Sequence, residues 1–188
     1  MDKNRWRVLV NFIAFQAGWF ACIVSAARGW PLVGVIYVAC WIGIHVYIIR
    51  NSKAVLLLVV ASGLVGYIVD SALVLAGAFS FPQYARLAGP SPVWMAAMWC
   101  NLAGALEVSL GWLRDHYLLA AVLGAIFGPA AYGAGQAFGA IEFGEPAWLC
   151  TAAVSLEWAI SLPLLYLISA GIRSSVKPDH QPEKEALS

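Results

Sequence analysis

Charged residues are scarce in this chain. Only 11% of its 188 residues are Asp, Glu, Lys or Arg, whereas a soluble domain carries about a quarter. Hydrophobic residues make up 62%, and the formal net charge is +1. Water is therefore not the main solvent of this protein. A charge so close to zero gives no electrostatic basis for a nucleic-acid partner, and none is expected.

Catalytic and metal-binding motifs are also missing. The sequence contains no H-E-x-x-H, Walker A or G-x-S-x-G pattern, so standard zinc, nucleotide and hydrolase chemistry lack support. Three histidines and four cysteines form no C-x-x-C spacing or Cys–His array, so no metal site and no cofactor are predicted. The cysteines lie singly in different apolar segments, which favours buried thiols over disulfides.

Long apolar runs dominate the sequence. A bilayer core of about 30 Å is crossed by roughly 20 helical residues. Six segments qualify: residues 8–27, 31–49, 54–79, 93–112, 118–141 and 147–172. The first could be a signal peptide, but its full length and its polar Asn11 and Gln16 favour an uncleaved helix. We predict an all-α integral membrane protein, a six-helix bundle over residues 1–173 with a disordered tail over 174–188.

The basic residues predict the orientation of this bundle. With both termini in the cytoplasm, the outer segments carry only Arg28 and Arg86. The inner segments then carry nine basic residues: Lys3, Arg5, Arg7, Arg50, Lys53, Arg114, Arg173, Lys177 and Lys184. This asymmetry obeys the positive-inside rule, and tryptophans at the predicted helix ends (Trp30, Trp94, Trp112 and Trp148) fit the aromatic belts of a membrane protein. Membrane lipid is the expected surrounding partner.

Four ionisable residues lie inside the predicted spans: His45, Asp70, Glu107 and Glu157. An unpaired acid in lipid costs roughly 2.5–3.5 kcal/mol on insertion scales, so each should face the bundle interior and find a partner. Counting residues from the membrane faces places His45 level with Glu107, and Gln16 level with Glu157. Asp70 lies toward the outer face, where Arg28 or Arg86 could reach it.

Two interpretations of the inner polar set remain open. Asn11, Gln16, His45, Glu107 and Glu157 could line a polar cavity or a proton path. They could equally hold the helices together, since such hydrogen bonds contribute about 0.6 kcal/mol apiece in membranes. For the outer pair of Asp70 and an arginine, a structural role is favoured.

The fifth segment is rich in small residues. Gly124 and Gly128, and again Gly135 and Gly139, are spaced by four, which permits close contact between helix backbones. Pro129 predicts a kink, and broken helices line substrate sites in some transporters. A tightly packed structural helix is the favoured interpretation.

Several strings resemble a known family. They are Asn11-Phe12-x-x-Phe15-Gln16-x-x-Trp19-Phe20, the stretch 94–99, Ser109-Leu-Gly-Trp-Leu113 and Gly128-Pro-Ala-Ala-Tyr132-x-Ala-Gly135. The chain resembles the bacterial inner-membrane domain-of-unknown-function family 2878 over nearly its whole membrane part. The resemblance implies a bacterial cytoplasmic membrane, no assigned activity and an association with lipid-modification genes, including cyclopropane-fatty-acid-synthase-like ones.

Three hypotheses follow for function. The leading one is a non-enzymatic accessory component in envelope or membrane-lipid maintenance, acting with a membrane-protein partner or as a homo-oligomer. The second is a small proton-coupled transporter or permease in which Glu107, His45 and Glu157 titrate. The third is an intramembrane lipid-modifying enzyme that uses Glu107 or Glu157 with His45 as acid and base.

Overall fold

A computed structural model describes residues 2–48 and 52–176. Six α-helices occur in this part of the chain: α1 (Lys3–Ala27), α2 (Pro31–Ile48), α3 (Ser52–Leu75), α4 (Val93–Leu106), α5 (Tyr117–Ala137) and α6 (Ala147–Ser175). Two short strands, β1 (Phe79–Ser80) and β2 (Glu142–Phe143), pair antiparallel. The predicted helical bundle is thus confirmed. Of the predicted tail, residues 174–175 belong to α6, and positions from 177 onward lie outside the described residues.

Five of these helices are long and apolar enough to cross a membrane. The exception is α4, whose 14 residues extend about 21 Å, less than a bilayer core of about 30 Å. The prediction of a continuous helix to Trp112 is therefore wrong. The helix ends at Leu106, and the chain turns so that Glu107 meets two arginines. A short 3₁₀ turn then follows at Gly111–Leu113.

Consecutive helices run in opposite directions. The end of α3 meets the start of α4, where the Ser91 amide donates to Ser71 Oγ, and the start of α5 faces the later part of α6, where Gly124 approaches Leu162. One end of the bundle therefore holds the start of α1 and the end of α6. It carries six of the eight described basic residues, and we call it the basic end: Lys3, Arg5, Arg7, Lys53, Arg114 and Arg173.

The opposite end, which we call the loop end, is closed by two connections. Strand β1 from the α3–α4 connection pairs with β2 from the α5–α6 connection, with Phe79 opposite Phe143. Tyr84 Oη donates to the Gly139 carbonyl at 2.7 Å, and Trp94 Nε1 donates to the Ala85 carbonyl at 2.9 Å. Trp94 is thus fully buried, which corrects its prediction as a membrane-interface residue.

The middle of the bundle surface is apolar. Ile36, Leu64, Ile126 and Ile160 lie on four different helices, and each is more than half exposed. A soluble monomer rarely exposes such extensive apolar surface. The hydrocarbon core of a bilayer tolerates such a surface, because every backbone group inside a helix is already hydrogen-bonded.

Candidate functional site

An apolar cleft of about 580 Å³ lies between α1, α4, α5 and α6. It exists because α1 packs on α2 and α4, whereas α5 packs on α6, which leaves α1 and α5 apart. Small residues on α5, including Gly128, Ala131 and Ala134, keep that wall thin. At the loop end, the rings of Phe20 and Phe138 meet edge to face at 6.3 Å. The cleft is therefore a space between two packed helix pairs, α1 with α4 and α5 with α6.

The length of the cleft matches one leaflet of a bilayer. On α1 its lining runs from Phe12 to Ile23, which is about 16 Å at 1.5 Å per residue. This is roughly half of a hydrocarbon core of about 30 Å. Most of its surface is aliphatic or aromatic, so it suits a single hydrocarbon chain.

A buried acid lies behind the wall of the cleft. Asp70 on α3 is fully buried and accepts hydrogen bonds from Trp99 Nε1 at 2.9 Å and from Tyr132 Oη. Trp99 and Tyr132 line the cleft, and Trp99 stacks on Trp158 with ring centroids 4.6 Å apart. One carboxyl group thus ties α3 to α4 and α5.

The structure corrects the predicted pair of Asp70 and Arg28. Arg28 ends α1 in an exposed position, and Arg86, the other candidate, donates through Nε to the Phe81 carbonyl at 2.8 Å. Among the described residues, only Glu107 forms ion pairs. Asp70 instead accepts hydrogen bonds from uncharged donors, so no arginine has to be buried beside it.

Glu157 and Gln16 are not hydrogen-bonded to each other, which corrects the second predicted pair. Glu157 Oε1 accepts from Ser161 Oγ at 2.7 Å on the same helix. Its Oε2 is buried and has no hydrogen-bond partner among the described residues. Gln16 lies in the wall of the cleft, beside the apolar lining of α1. The two polar groups are therefore separate features of the site.

Glu107 is neutralised by arginines rather than by histidine. Its carboxylate binds Arg114 Nη2 at 2.8 Å and Arg173 Nη1 at 2.6 Å, and it also accepts from Ser169 Oγ. His45 is buried beside Trp41, and its Nε2 lacks a hydrogen-bond partner within the described chain. The predicted His45–Glu107 pair is wrong, because both carboxylate oxygens of Glu107 bind other groups, Arg114 on one side and Arg173 and Ser169 on the other.

Replacing Glu107 with glutamine should destabilise the fold. The change keeps the shape but removes the charge that holds Arg114 and Arg173 together. Hydrogen bonds to charged groups contribute about 1.5–3 kcal/mol, and partial exposure reduces this, so we expect a loss of about 1–2 kcal/mol in the free energy of unfolding. Unfolding in mixed micelles measures it. Glu142→Gln is the control, because Glu142 accepts only one exposed bond of 3.4 Å; equal stabilities would contradict the prediction.

Two asparagines fasten α1 to α4. Asn11 Nδ2 donates to the Gly104 carbonyl at 3.0 Å, and Asn11 Oδ1 accepts from the Ser109 amide at 3.1 Å. Asn101 Nδ2 donates to the Phe15 carbonyl at 2.8 Å. Both side chains are buried. For Asn11, these contacts favour the interpretation that it holds helices together over a role in a polar cavity or a proton path.

The glycines of α5 serve different contacts. A Cβ atom on Gly124 would lie 2.4 Å from the Trp158 carbonyl oxygen, and one on Gly128 would lie 2.2 Å from the Trp158 ring. Gly135 instead packs against Ile141, just beyond its own helix, and Gly139 follows the helix with a φ of +82°. Pro129 lies inside the continuous helix next to Gly128. The close packing of α5 on α6 thus involves Gly124 and Gly128, the first of the two predicted glycine pairs.

Sequence reasoning missed the aromatic partners of Asp70. The polar residues considered in the sequence did not include Trp99 and Tyr132, the two donors to Asp70. A usable signal existed, because an acid inside a membrane needs donors and Trp or Tyr can supply them from an otherwise apolar ring. No group of three or more His, Cys, Asp or Glu side chains able to hold a metal occurs in the described ranges.

These features define a helical protein whose apolar surface is typical of membrane proteins, with an internal cleft and a buried carboxyl group beside it. The chain belongs to the protein family of unknown function DUF2878, whose sequence pattern matches residues 8–164. The resemblance seen in the sequence is thereby confirmed. No curated protein matches the chain, and no solved structure does.

Proposed function

We propose that this protein binds a membrane lipid in the cleft and acts as an accessory component in the maintenance of the bacterial cytoplasmic membrane. The cleft carries the proposal, because it is about 580 Å³ in volume, apolar, and bounded by two helices that do not pack together. A lipid chain could enter sideways from the bilayer between α1 and α5. Such a protein would hold or present lipids to a partner without transforming them.

The topology in this proposal has six crossings and both termini in the cytoplasm. In α4 the chain returns from the loop end to the basic end, where Glu107 meets Arg173 at the end of α6. The short helix and the turn that follows it would together make the fourth crossing. The excess of basic residues at the basic end supports placing this end in the cytoplasm.

Filling the cleft tests the lipid-binding function. Ala131→Trp puts a large ring into the cleft wall, and we expect the affinity for a diacyl phospholipid to fall by at least about tenfold, or about 1.4 kcal/mol. The measurement is native mass spectrometry of the detergent-purified protein titrated with phosphatidylglycerol. Ala152→Trp is the matched control, because Ala152 is exposed on α6 and does not line the cleft. If both variants bind lipid like the wild type, the cleft is not the binding site.

A proton-coupled transporter is the second candidate function. The observation that favours it is a pair of carboxyl groups, the buried Asp70 and the half-buried Glu157, one on each of two packed helices near the cleft. Carboxyl groups buried in membranes commonly mark proton pathways. Proteoliposomes containing a pH-sensitive dye separate the two functions, because lipid-driven proton movement requires transport and lipid binding alone produces none.

A further inference from the structure

A second, smaller hollow adjoins the cleft at the basic end. It has a volume of about 390 Å³ and is lined by Asn4, Arg5, Val8, Leu9, Phe12 and Ser109. Phe12 lines both spaces, so the hollow lies at the mouth of the cleft. Its lining combines a cation, an amide and a hydroxyl with apolar side chains. That combination differs from the cleft itself, whose lining includes no charged residue.

Ser109 gives the hollow a polar group that is ready for a ligand. Its side chain is only 7% exposed, and its Oγ is buried without a hydrogen-bond partner among the described residues. A buried hydroxyl left unpaired costs about 1–3 kcal/mol by mutational measurements. The Ser109 amide is held by Asn11, so this position in the turn after α4 is fixed against α1.

Arg5 supplies the charge. It is exposed in the first turns of α1 and forms no ion pair with any carboxylate of the described chain. A guanidinium presents several N–H donors in a plane, which suits the oxygens of a phosphate group. Asn4 adds a further amide donor beside it. The basic end is therefore able to hold an oxyanion about 10 Å along α1 from Phe12, where the cleft begins on that helix.

From these observations we infer that Arg5, Asn4 and Ser109 form a head-group site for an anionic phospholipid whose acyl chain lies in the cleft. The inference rests on the proposed function, since the same lipid fills both spaces. The lipid comes from the leaflet at the basic end, because the hollow that would hold its head group lies along the first turns of α1. Asn11 acts as a positioning residue, through its bond to the Ser109 amide.

The test compares two phospholipids that differ only in the head group, and it adds a free fatty acid. Purified full-length protein is titrated with phosphatidylglycerol, phosphatidylcholine of the same acyl chains, and oleate, and bound lipid is counted by native mass spectrometry. We expect Arg5→Gln to weaken phosphatidylglycerol binding about tenfold, and to weaken phosphatidylcholine binding less, because choline offsets the charge of the phosphate in that lipid. Ser109→Ala should weaken it about threefold. Arg28→Gln, at an exposed arginine of the loop end, should bind as the wild type does.

The outcomes separate this inference from the function on which it rests. If the wild type binds phosphatidylglycerol and phosphatidylcholine equally, and Arg5→Gln changes neither, the head-group site is overturned and the cleft proposal stands. If the wild type binds no lipid, both fail. If oleate binds as tightly as phosphatidylglycerol and with the same dependence on Arg5, the assignment to a phospholipid is overturned in favour of a fatty acid.

Discussion

Replacing Asp70 with alanine is expected to lower the free energy of unfolding by about 2–6 kcal/mol. The change leaves Trp99 Nε1 and Tyr132 Oη without acceptors in a fully buried position, and each such donor costs about 1–3 kcal/mol. Native proteins are stable by only about 5–15 kcal/mol. Much of the variant should therefore fail to fold, and the remainder should unfold early in a detergent titration followed by circular dichroism.

A second substitution distinguishes lost hydrogen bonds from a simple cavity. Removing both partners of a buried bond costs less than leaving one unpaired. Asp70→Ala combined with Tyr132→Phe should therefore be less destabilised than the sum of the single changes, by about 0.5–3 kcal/mol. Asp2→Ala is the control, because Asp2 is exposed and its side chain caps nothing. Strict additivity would show that Asp70 and Tyr132 act independently.

The helices could be predicted because hydrocarbon imposes one strong rule. Every backbone group inside the bilayer must be satisfied, so an apolar run of about 20 residues has to be a helix. Five predicted spans follow this rule. The fourth departs from it after Leu106, where the helix ends and Glu107 pairs with two arginines. Hydropathy alone does not reveal this ion pairing, because Leu110 and Trp112 make the turn look like a continuation of the apolar span.

The hydrogen-bond partners of the polar residues were harder to predict, because depth in the membrane is only one of the coordinates that place a side chain. Two side chains at the same depth meet only if their helices are neighbours and the right faces turn together. Gln16 and Glu157 share a depth, but Gln16 lies in the cleft wall while Glu157 binds Ser161 on its own helix. The hydrogen-bond partners of Asp70 lie on α4 and α5, and neither carries a positive charge. Charge matching therefore missed a site that depends on aromatic donors.

The cleft could not be predicted from the sequence for a related reason. It arises from the separation of α1 and α5, which depends on how the other helix pairs pack. The small residues of α5 were predicted to promote contact, and Gly124 and Gly128 do approach Trp158 on α6. Ala131 and Ala134, further along the same helix, line the cleft, and so does Gly128. One small-residue pattern thus serves both the packing of α5 on α6 and the wall of the cleft.

Gly66→Ala should destabilise the bundle, although alanine normally favours a helix. A Cβ atom at Gly66 would lie 1.9 Å from Trp99 Cγ, and Trp99 is held by its bond to Asp70 and its stacking on Trp158. Overpacking costs about 1–3 kcal/mol, more than the roughly 1 kcal/mol that alanine gains over glycine in a helix. At Gly43, where no atom lies within 4 Å, the same change should raise stability. Unfolding titrations of both variants measure these opposite signs, and a stabilised Gly66→Ala protein would mean that Trp99 is free to move.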